Sequence, residues 1–168
     1  MELAREPRHA APDAGTAAAA LQEVLARHAH EEGALLPILH SLQDKLGYVP
    51  PSAVQGIADA LNLSRAEVHG VVTYYHHFRS EPAGRHVLQI CRAEACQAMG
   101  ADALLSHAEL RLGCASHSTT SDGAFSLEPV YCLGLCASSP ALMLDGEPHG
   151  RVSARGLDVL IAQARSGK

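Results

Sequence analysis

The sequence predicts an α+β protein, a helical N-terminal bundle followed by an α/β domain. Three observations carry this. Apolar residues recur at helical spacing through the first half. A break at Ser80-Glu81-Pro82-Ala83-Gly84 then leads into a stretch where strand-like and helix-like patterns alternate. Finally, 47% of the 168 residues are apolar and 18% are charged, so the chain can bury a core. With no Trp and only 4% aromatics, that core must be built from Leu, Ala, Val and Ile. The expected organisation is a disordered Ala-rich tail over residues 1–20, a helical domain over 21–80 and an α/β domain over 85–168.

Leu21, Val24 and Leu25 begin the first apolar stripe, which Glu31-Glu32-Gly33 interrupts. Leu35, Leu36, Leu39, Leu42 and Leu46 predict a second helix. Pro37 is tolerable only in its first turn, and Gly47 suits its end. Ser52 is a candidate cap for a third helix holding Val54, Ile57, Ala58 and Leu61, with Asn62 ending it. Ser64-Arg65-Ala66-Glu67 has the capping-box pattern, in which hydroxyl and carboxylate each satisfy an orphan amide. Val71 to Phe78 is β-branched and aromatic, which predicts that this last helix gives way to an extended segment. Beyond the break, His86 to Ile90 alternates like a strand and runs into Cys91. Residues 95–112 read as one helix, and 116–123 as a polar turn. Phe125 to Tyr131 reads as a strand running into Cys132. Ala141 to Leu144 is a third strand with a turn at Asp145-Gly146, and Ser153 caps a last helix. The order β-α-β-β-α predicts a small sheet with helices packed on it.

Charge and composition exclude several functions. The net charge of −5 argues against non-specific nucleic-acid binding or an anionic membrane surface. Residues 57–72 have a helix-turn-helix rhythm but almost no basic residues to meet phosphates, so they read as a packing unit. There is no membrane-spanning run and no secretory signal, which predicts a cytoplasmic protein. No phosphate loop, nucleophile elbow or dinucleotide fingerprint is present.

Four of the five cysteines form two pairs, each following a strand. Cys91 and Cys96 bracket four residues, and Cys132 and Cys136 bracket Leu133-Gly134-Leu135. Parallel neighbouring strands would deliver both pairs to one end of the sheet. In a reducing compartment such thiols point to metal or catalysis more than to disulfides. The spacing favours an iron–sulfur cluster but leaves structural zinc, a redox disulfide and ordinary buried thiols open. Gly134 lets backbone N–H groups approach the sulfurs, and Leu133 and Leu135 would limit water access. Cys114 stands apart as a free or half-buried thiol. Adjacent His76 and His77 diverge and suit a surface or interface role better than metal ligation.

Over about residues 34–166 the chain resembles a known family, the thioredoxin-like [2Fe–2S] subunit of NADH dehydrogenases, the 24-kDa type of respiratory complex I. The resemblance is carried by Leu-Leu-Pro-Ile-Leu at 35–39, Leu46-Gly47-Tyr48-Val49-Pro50, Gly70 to Tyr75, Phe78, the four cysteines with Leu133-Gly134-Leu135, and Pro140. It implies a thioredoxin-like α/β domain and a [2Fe–2S] cofactor bound by Cys91, Cys96, Cys132 and Cys136. It also implies a partner flavoprotein subunit carrying FMN and the NAD site. The subunit would relay electrons and be non-catalytic alone, and a homodimer of the isolated chain is left open. Within the family, Cys91-Arg92-Ala93-Glu94 and the short tail after Ser166 resemble the gamma subunit of soluble, NAD-dependent, molybdenum-containing formate dehydrogenases. Complex I and the diaphorase part of NAD-reducing hydrogenases are the neighbouring alternatives. A zinc-stabilised adaptor without redox function is the alternative of a different class. Arg92 and Glu94 are candidates for tuning the potential or docking, and a solvated pair is the competing reading.

Overall fold

Residues 14–167 are described by a computed structural model. The chain divides into two units, Met1–Pro82 and Ala83–Lys168, each with its own hydrophobic core.

The helical unit opens with α1 (Ala14–His28). Residues 1–13 of the expected tail lie outside the described residues. Residues 14–20 differ from the expectation, because they form the first half of α1 and Ala17 and Ala20 are buried. Alanine propagates a helix well and permits close approach. A Cβ added to Gly56, in α3 (Ala53–Leu61), would lie 3.0 Å from Leu21 Cδ2. Helix α2 (Leu35–Leu46) ends at Gly47, as its sequence predicts, and buries Ile38, Leu39 and Leu42 completely. Ser52 precedes α3 in helical conformation and makes no side-chain cap, while Asn62 ends α3 in the left-handed region. Helix α4 (Arg65–Tyr74) carries both bonds of the Ser64–Glu67 capping box.

The extended segment expected from Val71 onward does not form, since α4 continues to Tyr74. Val68 and Val72, one turn apart, are buried in the bundle core, and that burial overrides the strand propensity of the β-branched run. Beyond α4 the chain is fastened by the buried amide of Gln43. Its Nε2 donates to the His77 carbonyl and its Oε1 accepts from the Arg79 amide, each at 2.8 Å.

The second unit is a five-stranded mixed sheet in the order β2-β3-β1-β4-β5. The strands are β1 (His86–Cys91), β2 (Ser118–Thr119), β3 (Phe125–Val130), β4 (Leu142–Leu144) and β5 (Glu147–His149). Strands β1 and β3 are parallel, with His86 opposite Phe125 and Cys91 opposite Val130, and the other pairings are antiparallel. A parallel pair needs a crossover, supplied here by α5 (Glu94–Ala98) and α6 (Ala101–Leu112). The single helix expected over 95–112 is broken at Gly100, whose φ of 90° no continuing helix accepts. The two edge strands were absent from the sequence expectation because each is only two or three residues long and polar. Helices α6 and α7 (Ala154–Ser166) pack on the sheet, with Leu104, Ala108, Leu157 and Ile161 against Leu88, Ile90, Leu127 and Leu142.

Gly84 enters β1 against the backbone of β3. A Cβ there would lie 2.9 Å from the Phe125 carbonyl carbon and 3.1 Å from Gly123 O, and neither atom can yield as a side chain would. The Gly84 amide also donates to Ser126 Oγ at 2.8 Å. Gly84→Ala should therefore destabilise the protein by about 1–3 kcal/mol, the usual range for overpacking. A thermal midpoint equal to that of the parent would contradict this contact.

Candidate metal centre

The parallel register determines where the cysteines lie. Cys91 is the last residue of β1, and its amide donates to the Ala141 carbonyl at 3.0 Å. The next amide, Arg92, donates to Val130 O at 2.7 Å, so both strands end side by side. From β1 the chain turns into α5, which carries Cys96. From β3 it passes through Tyr131 to Cys132 and reaches Cys136 at the start of a one-turn 3-10 helix, Cys136–Ser138. The thiols of Cys91 and Cys96 lie close enough to influence each other, as do those of Cys132 and Cys136. Cys136 also feels the charges of Cys96 and Cys91. Four sulfurs thus share one end of the sheet as two pairs.

The pairs differ in environment. Cys91 and Cys96 are each 2% exposed, whereas Cys132 and Cys136 are exposed. Burial pushes the Cys91 thiol up. Burial acts the same way on Cys96, but its polar neighbours Ser139, Cys91 and the Ala141 amide together outweigh it and hold that thiol below its ordinary value. The shared hydrogen bond with Cys132, and then its charge, push Cys136 up.

Backbone amides point at the sulfurs. The Gly134 N–H donates to Cys132 Sγ at 3.3 Å, and the Ala93 and Leu133 backbone favours the Cys91 thiolate as the Ala141 backbone favours that of Cys96. Gly134 has φ 77°, the left-handed conformation that this turn requires and that a side chain resists. Cys132 has φ 123° without being glycine, a conformation that costs about 1–3 kcal/mol and gathers at functional sites. Half-buried Leu133 and Leu135 pack beside Cys91 and Cys96.

The remaining sequence candidates lie elsewhere or face away. Arg92 pairs with Asp102 of α6, at 2.8 Å from Nη2 and 3.0 Å from Nε, so its charge is committed to that carboxylate. Glu94 is exposed in the first turn of α5. Cys114 is half-buried against the sheet core, and burial raises its thiol. His76 and His77 belong to the helical unit. His76 Nδ1 is 3.2 Å from Tyr74 O, and the His77 ring lies 5.0 Å from that of His40. Among the described residues no three His, Cys, Asp or Glu side chains converge on a position for a single metal ion. Two residues beside the cysteines were not singled out from the sequence, Asp102 and Ser139. Ser139 is buried and its Oγ lies 3.5 Å from Cys96 Sγ. The only signal for it was its place before Pro140.

Soft thiolate donors select zinc, copper(I) or iron–sulfur clusters. Two separate pairs ringed by amide donors suit a two-metal cluster, which spreads negative charge over many sulfurs.

Known proteins bear on this choice. The thioredoxin-like [2Fe–2S] ferredoxin family matches residues 21–165. An NADH-quinone oxidoreductase subunit of Rhizobium meliloti (strain 1021) is 34% identical over 148 residues, covering 88% of this chain and 88% of that protein. A second such subunit, from Thermus thermophilus, is 32% identical over 151 residues, covering 88% and 83%. In a crystal structure of NAD+-reducing [NiFe]-hydrogenase in the air-oxidized state, one chain superposes with a TM-score of 0.66 at 24% identity, a likeness of fold. The match covers 79% of this chain and 23% of that one. The family match takes in both units and all four paired cysteines, so the chain belongs to the thioredoxin-like [2Fe–2S] ferredoxins and its cofactor is a [2Fe–2S] cluster.

Proposed function

We propose that the chain is the electron-transfer subunit of a larger NAD-linked oxidoreductase, with Cys91, Cys96, Cys132 and Cys136 as its cluster ligands. The observation that carries this is the delivery of two thiol pairs to one sheet end by parallel β1 and β3. Both pairs together would hold the cluster, one pair buried and the other exposed. When bound, the cluster supplies storage of a single electron.

The chain's own residues have three tasks there. The amides of Ala93, Leu133, Gly134 and Ala141 face the sulfurs and offset the charge that an added electron brings. Leu133 and Leu135 exclude water from the buried pair. The exposed pair, preceded by Tyr131 at 64% exposure, gives an electron its shortest way in or out. The partner for that exchange is a flavoprotein subunit, in keeping with relatives named as subunits of NADH-quinone oxidoreductases.

The finer reading is a soluble, NAD-dependent formate dehydrogenase, supported by Cys91-Arg92-Ala93-Glu94. Complex I and an NAD-reducing hydrogenase are the neighbouring readings. The complex purified through this subunit should contain molybdenum and reduce NAD+ with formate. Recovery with quinone-reducing or hydrogen-oxidising activity instead assigns it to one of the other two. No helix among the described residues is long and apolar enough to cross a membrane.

Protein produced with iron supplied should contain about two irons and two acid-labile sulfides per chain. One zinc and no sulfide under those conditions would overturn the assignment and restore the adaptor reading.

A further inference from the structure

Ser139 lies between the two cysteine pairs. It is 9% exposed, and its Oγ accepts from the Cys96 thiol at 3.5 Å. Its own proton goes to the Cys136 carbonyl at 2.8 Å. A relay therefore runs from the buried pair through one hydroxyl to the backbone of the exposed pair.

A hydroxyl has a single proton and two lone pairs. The relay works only while Cys96 carries a proton. A ligating Cys96 is a thiolate and has nothing to donate. If the hydroxyl then kept its present orientation, a lone pair would face the anionic sulfur, and the oxygen would have lost its donor in a buried place. Rotation about the Cβ–Oγ bond removes both penalties by turning the O–H toward the sulfur. A hydrogen bond to an ionised acceptor is stronger than one to a neutral carbonyl. The Cys136 carbonyl, which gives up its donor, belongs to an exposed residue at the rim.

We propose that Ser139 is a positioning residue for the cluster: its hydroxyl donates to the Cys96 sulfur once that sulfur binds iron, and so raises the reduction potential. The inference rests on Cys96 being a ligand, as proposed above. Hydrogen bonds to cluster sulfurs stabilise the reduced, more negative state. The amides around the site are fixed by the backbone, whereas this donor is a side chain that one substitution removes.

The test is a dithionite redox titration of the full chain, followed by electron paramagnetic resonance. Ser139→Ala should shift the reduction equilibrium about three- to tenfold toward the oxidised form, a potential lower by about 30–60 mV for one electron. Ser139→Thr keeps a hydroxyl and should keep the parental potential. In D2O the iron–sulfur stretching bands should shift more in the parent than in Ser139→Ala. A fully loaded Ser139→Ala protein with the parental potential, or a higher one, overturns the proposal. If that variant does not retain iron, the parent decides: no band shift in D2O overturns the proposal, and a shift kept by Ser139→Thr supports it. Failure of the ligand reading looks different, since the parent itself would then lack about two irons and two sulfides.

Discussion

Cys136→Ser should lose most of its visible absorbance, retaining on the order of a tenth of the parental iron and sulfide, because a hydroxyl is a harder and weaker iron ligand than a thiolate. Cys136 is exposed at the opening of a one-turn helix, so its replacement leaves the fold's core intact. The loss would then report ligation rather than unfolding, and an unchanged far-UV dichroism spectrum should accompany it. Cys114→Ser is the control. Cys114 packs at the sheet core, away from both pairs, so its substitution should leave the spectrum unchanged. Bleaching by Cys114→Ser, or a full cluster in Cys136→Ser, would mean that the ligand set is wrong. Cys96→Ser should be at least as damaging, because Cys96 is 2% exposed and no solvent ligand can reach the vacated position.

These expectations depend on a geometry that was partly legible in the sequence. Each strand of the parallel pair runs toward its first cysteine, at Cys91 and just short of Cys132, so a parallel arrangement alone brings the pairs together. The Ser64–Glu67 box was legible because capping is local chemistry among four consecutive residues. Ser52 carries the same kind of side chain but caps nothing, because its backbone is already helical. What sequence reasoning missed depends on distant contacts. Helix α4 persists through Val71 and Val72 because Val68 and Val72 meet the bundle core. Ala17 and Ala20 are ordered by packing that periodicity does not reveal in an alanine run. Ser139 approaches Cys96 across 43 positions of sequence, and Arg92 turns to Asp102 rather than to the sulfurs. The strained φ of Cys132 leaves no trace in residue type.

NADH should reduce this cluster only when the flavoprotein partner is present. NADH delivers a hydride, two electrons with a proton, whereas a [2Fe–2S] cluster takes one electron. A flavin can accept the pair and release the electrons singly, so it must stand between the two. The chain has no dinucleotide fingerprint with which to hold NADH itself. Its cysteine end instead offers an exposed thiol pair next to exposed Tyr131, where a second protein can come within transfer distance. Adding NADH to the isolated, cluster-loaded chain should leave the visible absorbance constant. Adding the FMN-bearing subunit as well should bleach it within the time of manual mixing, and air should restore the colour. The isolated chain should accordingly show no NADH dehydrogenase or formate dehydrogenase activity. Rapid bleaching of the lone chain by NADH would overturn the relay assignment, since it would require a hydride-accepting site on this chain. Failure to bleach with an active, FMN-loaded partner would place the cluster outside the flavin's path and leave the exposed cysteine pair without its proposed role.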